Sequence, residues 1–312
     1  MRKAFINKLL ELAEENENIF LLCGDLGFSI LEKFKDKFPK RFLNMGVAEQ
    51  NMIGVAAGLA LSGKTVFVYS IIPFLTMRCF EQIRNDLCYQ NLNVKLIGVG
   101  EGLSYGSAGA THHSLCDIAI MRALPNMKIF VPGDHFETER VAEIAVSSQG
   151  PAYIRLGKSH EPEIYLEPPH FNISEGIVLR NGDDITIFTM GNMLYNSKLA
   201  VDKLSERNID ARLISMPTIK PFDKNIISKA AKETKAIFTI EEHSLIGGLG
   251  SIVAEVLAES EDKILFKKIA LPDKFCNEIG SQEYLREKKG LSVTKIVDYI
   301  LKELNNENRK TN

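Results

Sequence analysis

Apolar and polar positions along this chain follow two alternating periods. Near the N-terminus Phe5, Leu9 and Leu12, with Ile6, Leu10 and Ala13, recur at helical spacing and predict an apolar helix stripe. Residues 19–23 then form a short unbroken apolar run, which predicts a buried strand. Further strands are predicted at 65–70, 94–99, 128–131 and 152–156, with helices near 47–62, 76–90 and 135–147. Strands alternating with helices predict a mostly parallel sheet with helices on both faces. Periodicity lapses over 157–174, which carries Pro162, Pro168 and Pro169. Alternation then resumes, with strands at 185–190, 211–215, 236–241 and 264–270 and helices near 194–207, 222–233, 249–260 and 292–304. Ser292 is placed as the N-cap of the last helix. The polar tail 305–312 reads as frayed. The fold class is α/β: two domains, 1–165 and 175–312, joined by a linker at 166–174, each a mostly parallel sheet flanked by helices.

Composition narrows the function. A chain of 312 residues is long enough for two domains with separate cores. Its formal net charge is -2 and it has no long basic run before the tail, so no nucleic acid partner is expected. No stretch approaches the roughly 18 apolar residues of a membrane span, and no membrane association is expected. The first residues lead into an amphipathic helix with Glu11, Glu14 and Glu15, unlike a signal peptide. Five cysteines without CxxC spacing suggest reduced thiols in a cytoplasmic protein and argue against a zinc site.

Within this frame a few residues stand out for their chemistry. Glu49 opens a helix rich in small residues, Gly54, Ala56, Ala57, Gly58 and Ala60 among them. Each glycine costs a helix roughly 1 kcal/mol relative to alanine, so close backbone approach or a subunit interface is expected there. Glu49 itself is either a helix-start charge or a buried acid that handles a proton. A second cluster, Gly109-Ala110-Thr111-His112-His113, joins flexible glycine to imidazole. Adjacent histidines in an extended segment point to opposite faces, so one can reach a ligand while the other packs, and they make a poor chelate for a metal. Phe74 and Arg78 follow the strand at 65–70, at the end of a parallel strand where α/β folds place ligands. Phe74 is a core residue or a stacking platform. Arg155 is a phosphate or carboxylate binder or an interdomain salt bridge. Gly247-Gly248-Leu249-Gly250-Ser251 lacks the GxGxxG spacing and is read as a tight strand-to-helix turn rather than a nucleotide loop.

Taken in order, the segments 46–52, 69–82, 109–113, 150–155, 190–193 and 241–250 resemble the C-terminal half of transketolase and the matching part of 1-deoxyxylulose-5-phosphate synthase. The resemblance implies a thiamine diphosphate enzyme. It assigns 1–165 to the domain that binds the cofactor's pyrimidine and 175–312 to the transketolase C-terminal domain. It implies that Mg2+ and the diphosphate are held mainly by a partner, an N-terminal-half transketolase subunit, since no Gly-Asp-Gly…Asn segment is present. The expected assembly is an α2β2 heterotetramer in which this chain also pairs with itself.

By the same resemblance Glu49 contacts the pyrimidine nitrogen N1′ and helps activate the cofactor. Phe74 stacks on the ring, with Phe80 as the second choice, and Asp25 lies near the cofactor. His112 contacts substrate close to its reacting carbonyl, with His113 beside it, and Arg78 and Arg155 match positions that grip a sugar phosphate. The expected reaction is transfer of a two-carbon ketol unit between sugar phosphates. One departure bears on the donor: where the family commonly has Asp-Gly-Pro-Thr-His, this chain has Ala108 and Ala110 in place of the aspartate and proline. The alternatives are the β subunit of a 2-oxo acid dehydrogenase, a synthase joining pyruvate to an aldehyde phosphate, and a scaffold subunit without activity.

Overall fold

A computed structural model describes residues 1–158 and 161–311, with side chains described as far as residue 307. Residues 159 and 160 of the irregular stretch and Asn312 of the tail lie outside the described residues. Twelve strands form two sheets among those described. The strands are β1 (Ile19–Cys23), β2 (Phe42–Asn44), β3 (Thr65–Ile71), β4 (Val94–Val99), β5 (Lys128–Phe130), β6 (Ala152–Leu156), β7 (Ile177–Arg180), β8 (Ile185–Thr189), β9 (Ala211–Ser215), β10 (Thr218–Lys220), β11 (Ala236–Ser244) and β12 (Leu265–Leu271).

The first sheet has the order β10-β5-β6-β4-β3-β1-β2 and is parallel except for β10. Its central strands β4 and β6 are buried along their whole length, as mostly apolar strands covered on both faces are, and the two charged residues they carry, Lys95 and Arg155, are buried with hydrogen-bond partners. Helices Arg2–Glu15 and His135–Ser147 cover one face through Phe5, Leu9, Val141 and Ala145. Glu49–Leu61 and Asp117–Arg122 cover the other through Met52, Ile53, Ile118 and Met121. The second sheet, β12-β11-β8-β9-β7, is parallel except for β7 against β9. Leu194–Ser205 and Val293–Thr311 pack on one side of it through Val201, Leu204, Ile296 and Ile300.

The halves are less separate than their hydrophobic pattern predicts. The core beneath Glu49–Leu61 continues into Phe188, Ile214, Ile227 and Val253 of the second half. Strand β10 belongs to the second half by sequence, yet it pairs antiparallel with β5 at the edge of the first sheet. Lys220, its last residue, donates from Nζ to the carbonyls of Arg122 (2.8 Å) and Leu124 (2.5 Å). Thus one strand crosses the division expected near residue 165.

Other departures are local. The helix expected over 76–90 is broken into Ile72–Thr76, Phe80–Gln82 and a wider π-turn at Ile83–Cys88. The tail does not fray from 305: the last helix runs to Thr311, with Glu303 paired to Lys267 at 2.9 Å. The glycines before Leu249–Ala258 do form a turn. Glu241 reaches into it and accepts from the amides of Leu249 (2.8 Å) and Gly250 (2.7 Å), and a Cβ at position 248 would collide with its Oε2. The chain's own carboxylate thereby fills the helix N-terminus that a phosphate would need.

Candidate active site

Glu49 is the first residue of helix Glu49–Leu61 and is 1% exposed. The carboxyl ends of β1 and β3 bring its neighbours to it. Ser70 of β3 donates from Oγ to Glu49 Oε1 at 3.0 Å. Gly24, just after β1, has no side chain to intrude; a Cβ there would lie 3.3 Å from both Glu49 Oε1 and Ser70 Oγ. Arg78 donates to Glu49 Oε2 and its guanidinium lies 4.6 Å from the centre of the Phe74 ring. Phe74 meets the His112 ring edge-on, with centroids 5.1 Å apart. Thr111 Oγ1 hydrogen-bonds His112 Nδ1 at 3.0 Å, which leaves Nε2 as the nitrogen turned to other partners. Glu49, Arg78, Phe74 and His112 thus form one contiguous group, assembled from three stretches of sequence.

Other expected site residues lie beside or outside this group. His113 is buried next to His112, and burial lowers its pKa. Asp25 is exposed, with a left-handed backbone (φ 57°), and exchanges hydrogen bonds with Asn44 at 2.9 and 3.1 Å. Phe80 is half-buried against the core.

Arg155 does not fit the phosphate-gripping role expected of it. It is fully buried at the junction of the two halves and each of its three guanidinium nitrogens donates a hydrogen bond within the chain. Nε meets Asp117 Oδ2 and Nη1 meets Glu101 Oε1, both at 2.8 Å. Nη2 meets the carbonyls of Ser114 (2.9 Å) and Glu242 (3.1 Å) and Asp117 Oδ1 (3.3 Å). The junction also holds Glu242 paired with Arg286. Three carboxylates therefore share two guanidinium groups. Burial keeps the neighbouring His243 neutral by lowering its pKa to about 4, so it adds no charge. The excess acid falls on Glu101, whose Oε2 has no hydrogen-bond partner among the described residues; burial pushes its pKa up to about 8, against the pull of Arg155. Arg78 is likewise turned away from solvent anions toward Glu49, although it remains 39% exposed.

Two neighbours were not singled out in the sequence. Ser70 is one, an inconspicuous strand residue whose only signal is its place at the end of β3. Lys158 is the other: its Nζ lies 4.7 Å over the Tyr105 ring, and Tyr105 stands 6.0 Å from His112. Lys158 forms no ion pair among the described residues.

Comparison with known proteins places the chain. The model of the transketolase pyrimidine binding domain matches residues 1–162, and that of the transketolase C-terminal domain matches 174–296. The chain belongs to the transketolase family. This transketolase-like chain is 40% identical over 299 residues to one subunit of the apulose-4-phosphate transketolase of Phocaeicola vulgatus, across 94% of this chain and 95% of that one. It is 39% identical over 310 residues to a putative transketolase C-terminal section of Methanocaldococcus jannaschii, across 98% and 97%. Among solved structures, a split-gene transketolase described as an inactive β4 tetramer superposes with a TM-score of 0.90 at 41% identity, over 97% of this chain and 98% of that one. The chain is thus one subunit of a transketolase-like transferase that requires a partner. Among its described residues no helix is long and apolar enough to cross a membrane.

Proposed function

We propose that this chain is the pyrimidine-binding half of a thiamine diphosphate transketolase that moves a two-carbon ketol unit between sugar phosphates. A partner subunit carrying the diphosphate- and Mg2+-binding domain completes it. The observation that carries this reading is the buried carboxylate of Glu49, aimed by Ser70 and left room by Gly24, with Phe74 and His112 gathered at the same strand ends.

These residues fit a flat, nitrogen-containing ring. Glu49 supplies a desolvated carboxyl group that holds or gives a proton at a ring nitrogen. Phe74 offers a half-exposed aromatic face beside it. When bound, thiamine diphosphate supplies the carbon nucleophile that protein side chains lack. His112, with Nδ1 occupied by Thr111, presents Nε2 to a substrate hydroxyl or carbonyl oxygen. Arg78 sits where it steadies Glu49, a role we assign it in place of a phosphate contact. Ala108, where an aspartate is usual, points to a donor sugar other than the common pentose phosphate.

The outer face of helix Glu49–Leu61 supports the expected pairing of subunits. Gly54 and Gly58 face open space, where added Cβ atoms would meet nothing within 4 Å, and Val47 and Leu61 nearby are 73% and 66% exposed. The glycines that looked costly in a lone helix are thus free for close approach by another chain, in an α2β2 assembly. The cysteines are all free thiols, in keeping with a cytoplasmic setting. The decisive experiment reconstitutes this chain with a partner bearing a Gly-Asp-Gly…Asn segment, adds thiamine diphosphate and Mg2+, and assays ketol transfer across a panel of sugar phosphates. Transfer that needs both chains supports the reading; a complex that hands its product to a lipoyl carrier instead would make this chain a dehydrogenase β subunit.

A further inference from the structure

The loop that carries His112 is closed at its neck. Ser114 donates its amide to the Gly102 carbonyl at 2.9 Å, so residues 102–114 leave the first half and return to the same point. Within the loop, Ala108 donates to the Tyr105 carbonyl at 2.8 Å and His112 to the Gly109 carbonyl at 3.0 Å. Such turns shape a loop but leave it free to shift as a body unless something outside holds it.

The holding contacts come from the second half. Residues 279–282 run along the loop in the opposite direction. Ile279 Cγ1 lies 4.0 Å from where a Cβ on Gly109 would stand. A Cβ on Gly106 would lie 2.4 Å from the Gly280 carbonyl oxygen, so only glycine admits this approach. Gln282 donates from Nε2 to Ser104 Oγ at 3.2 Å and to Glu242 Oε1 at 2.7 Å. The same Glu242 oxygen accepts from the Leu103 amide at 2.5 Å, and the other pairs with Arg286. Glu242 is 1% exposed on the central strand β11, a fixed point from which both Gln282 and the loop neck are held. The segment is fixed at its far end as well: Ser281 caps helix Gln282–Lys289, its Oγ accepting from the Tyr284 amide at 3.2 Å.

We propose that segment 279–282 of the C-terminal domain sets where His112 stands, with Gln282 as the positioning residue that ties the loop to Glu242. The proposal rests on the reading of His112 as a substrate contact. Glu49, Arg78, Phe74 and His112 all come from the first half, so through this segment the second half acts on the reaction without touching the substrate. Misplacing a reacting group by about 1 Å can cost on the order of a hundredfold in rate, which gives two hydrogen bonds at the base of the loop a measurable effect on turnover.

The test has two parts. The first is amide hydrogen exchange on the full chain, without thiamine diphosphate or partner. Gln282→Met keeps the length of the side chain and removes both bonds; Gly106→Ala, the second variant should the first fold poorly, pushes the segment off the loop. The amides of Ala108, Gly109 and His112 should exchange about fivefold faster, with those of β4 and β6 at wild-type rates. Unchanged exchange in both variants, or acceleration spread through both sheets, would overturn the proposal. The second part is a double-mutant cycle in the assembled enzyme. Gln282→Met should lower kcat/KM for ketol transfer about tenfold, and have no further effect once His112→Ala is present. Equal losses in the two backgrounds would show that Gln282 does not act through His112 and would also overturn it. Should His112→Ala alone leave transfer unchanged, the substrate reading of His112 fails, and the exchange measurement still decides whether the segment holds the loop.

Discussion

Two places in this chain join a buried carboxylate to an arginine, and they are built to opposite ends. At the strand ends, Glu49 meets Arg78, whose side chain remains 39% exposed and rests on the half-buried Phe74 ring. At the junction of the halves, Arg155 is wholly buried and spends its donors on Glu101, Asp117 and two carbonyls. What an arginine can do for a ligand depends on the donors it has left. Arg155 is out of reach, fully buried with each of its guanidinium nitrogens bonded inside the chain, so it holds the two halves together. Arg78 can yield, so its carboxylate partner remains within reach of a bound molecule.

The largest effect that sharpens this contrast is expected at Glu49. Glu49→Gln in the assembled enzyme should lower kcat by about a thousandfold, near 4 kcal/mol in the barrier, with melting temperature unchanged. Near-normal turnover would remove Glu49 from the chemistry. Arg155→Ala should do the reverse, costing about 3–5 kcal/mol in denaturant unfolding because it strands buried carboxylates. A stable variant with a raised KM for phosphorylated sugars alone would restore the substrate role. Arg78→Ala should leave stability within about 1 kcal/mol, as partly exposed pairs do, and reduce turnover by less than about tenfold.

A separate effect is in pH dependence. Folded Glu101 keeps its proton to about pH 8, whereas an ordinary glutamate loses it near 4.5. Between those values the folded state binds more protons, so stability falls as pH rises. Glu137 and Glu241, pushed by burial to about 7, act in the same direction. Unfolding of the wild type should therefore become easier from about pH 5 to about pH 8.5, and Glu101→Gln should flatten the fall in stability above about pH 7. An unaltered slope would show Glu101 ionised at the junction.

How much of this was legible in the sequence followed the strength of the local pattern. Mostly apolar stretches such as Val94–Val99 announced the central strands because burial on both faces favours that composition, with the one lysine, Lys95, satisfied by the carbonyls of Ser148 and Gly150. Three-residue edge strands such as β2 and β10 carry too few side chains to show a period, and β10 is held by pairing with β5 and by Lys220 rather than by its own pattern. At the site, Glu49, Phe74, Arg78 and His112 were each marked by a loop or helix start, and they are neighbours in space. Arg155 misled because a strand-end arginine reads the same whether its fork faces solvent or carboxylates delivered from Glu101 and Asp117. Ser70 and Lys158 were silent because their partners are far away in sequence.

The insertion of β10 into the first sheet has a consequence for biosynthesis. As the chain leaves the ribosome, β5 is finished long before the strand that covers its edge exists. The first half therefore waits with an open edge, a known invitation to pairing with the wrong chain. A fragment ending at residue 165 should aggregate where the whole chain folds. A gene break between these halves would be poorly tolerated, so the two are best inherited, expressed and engineered as one piece.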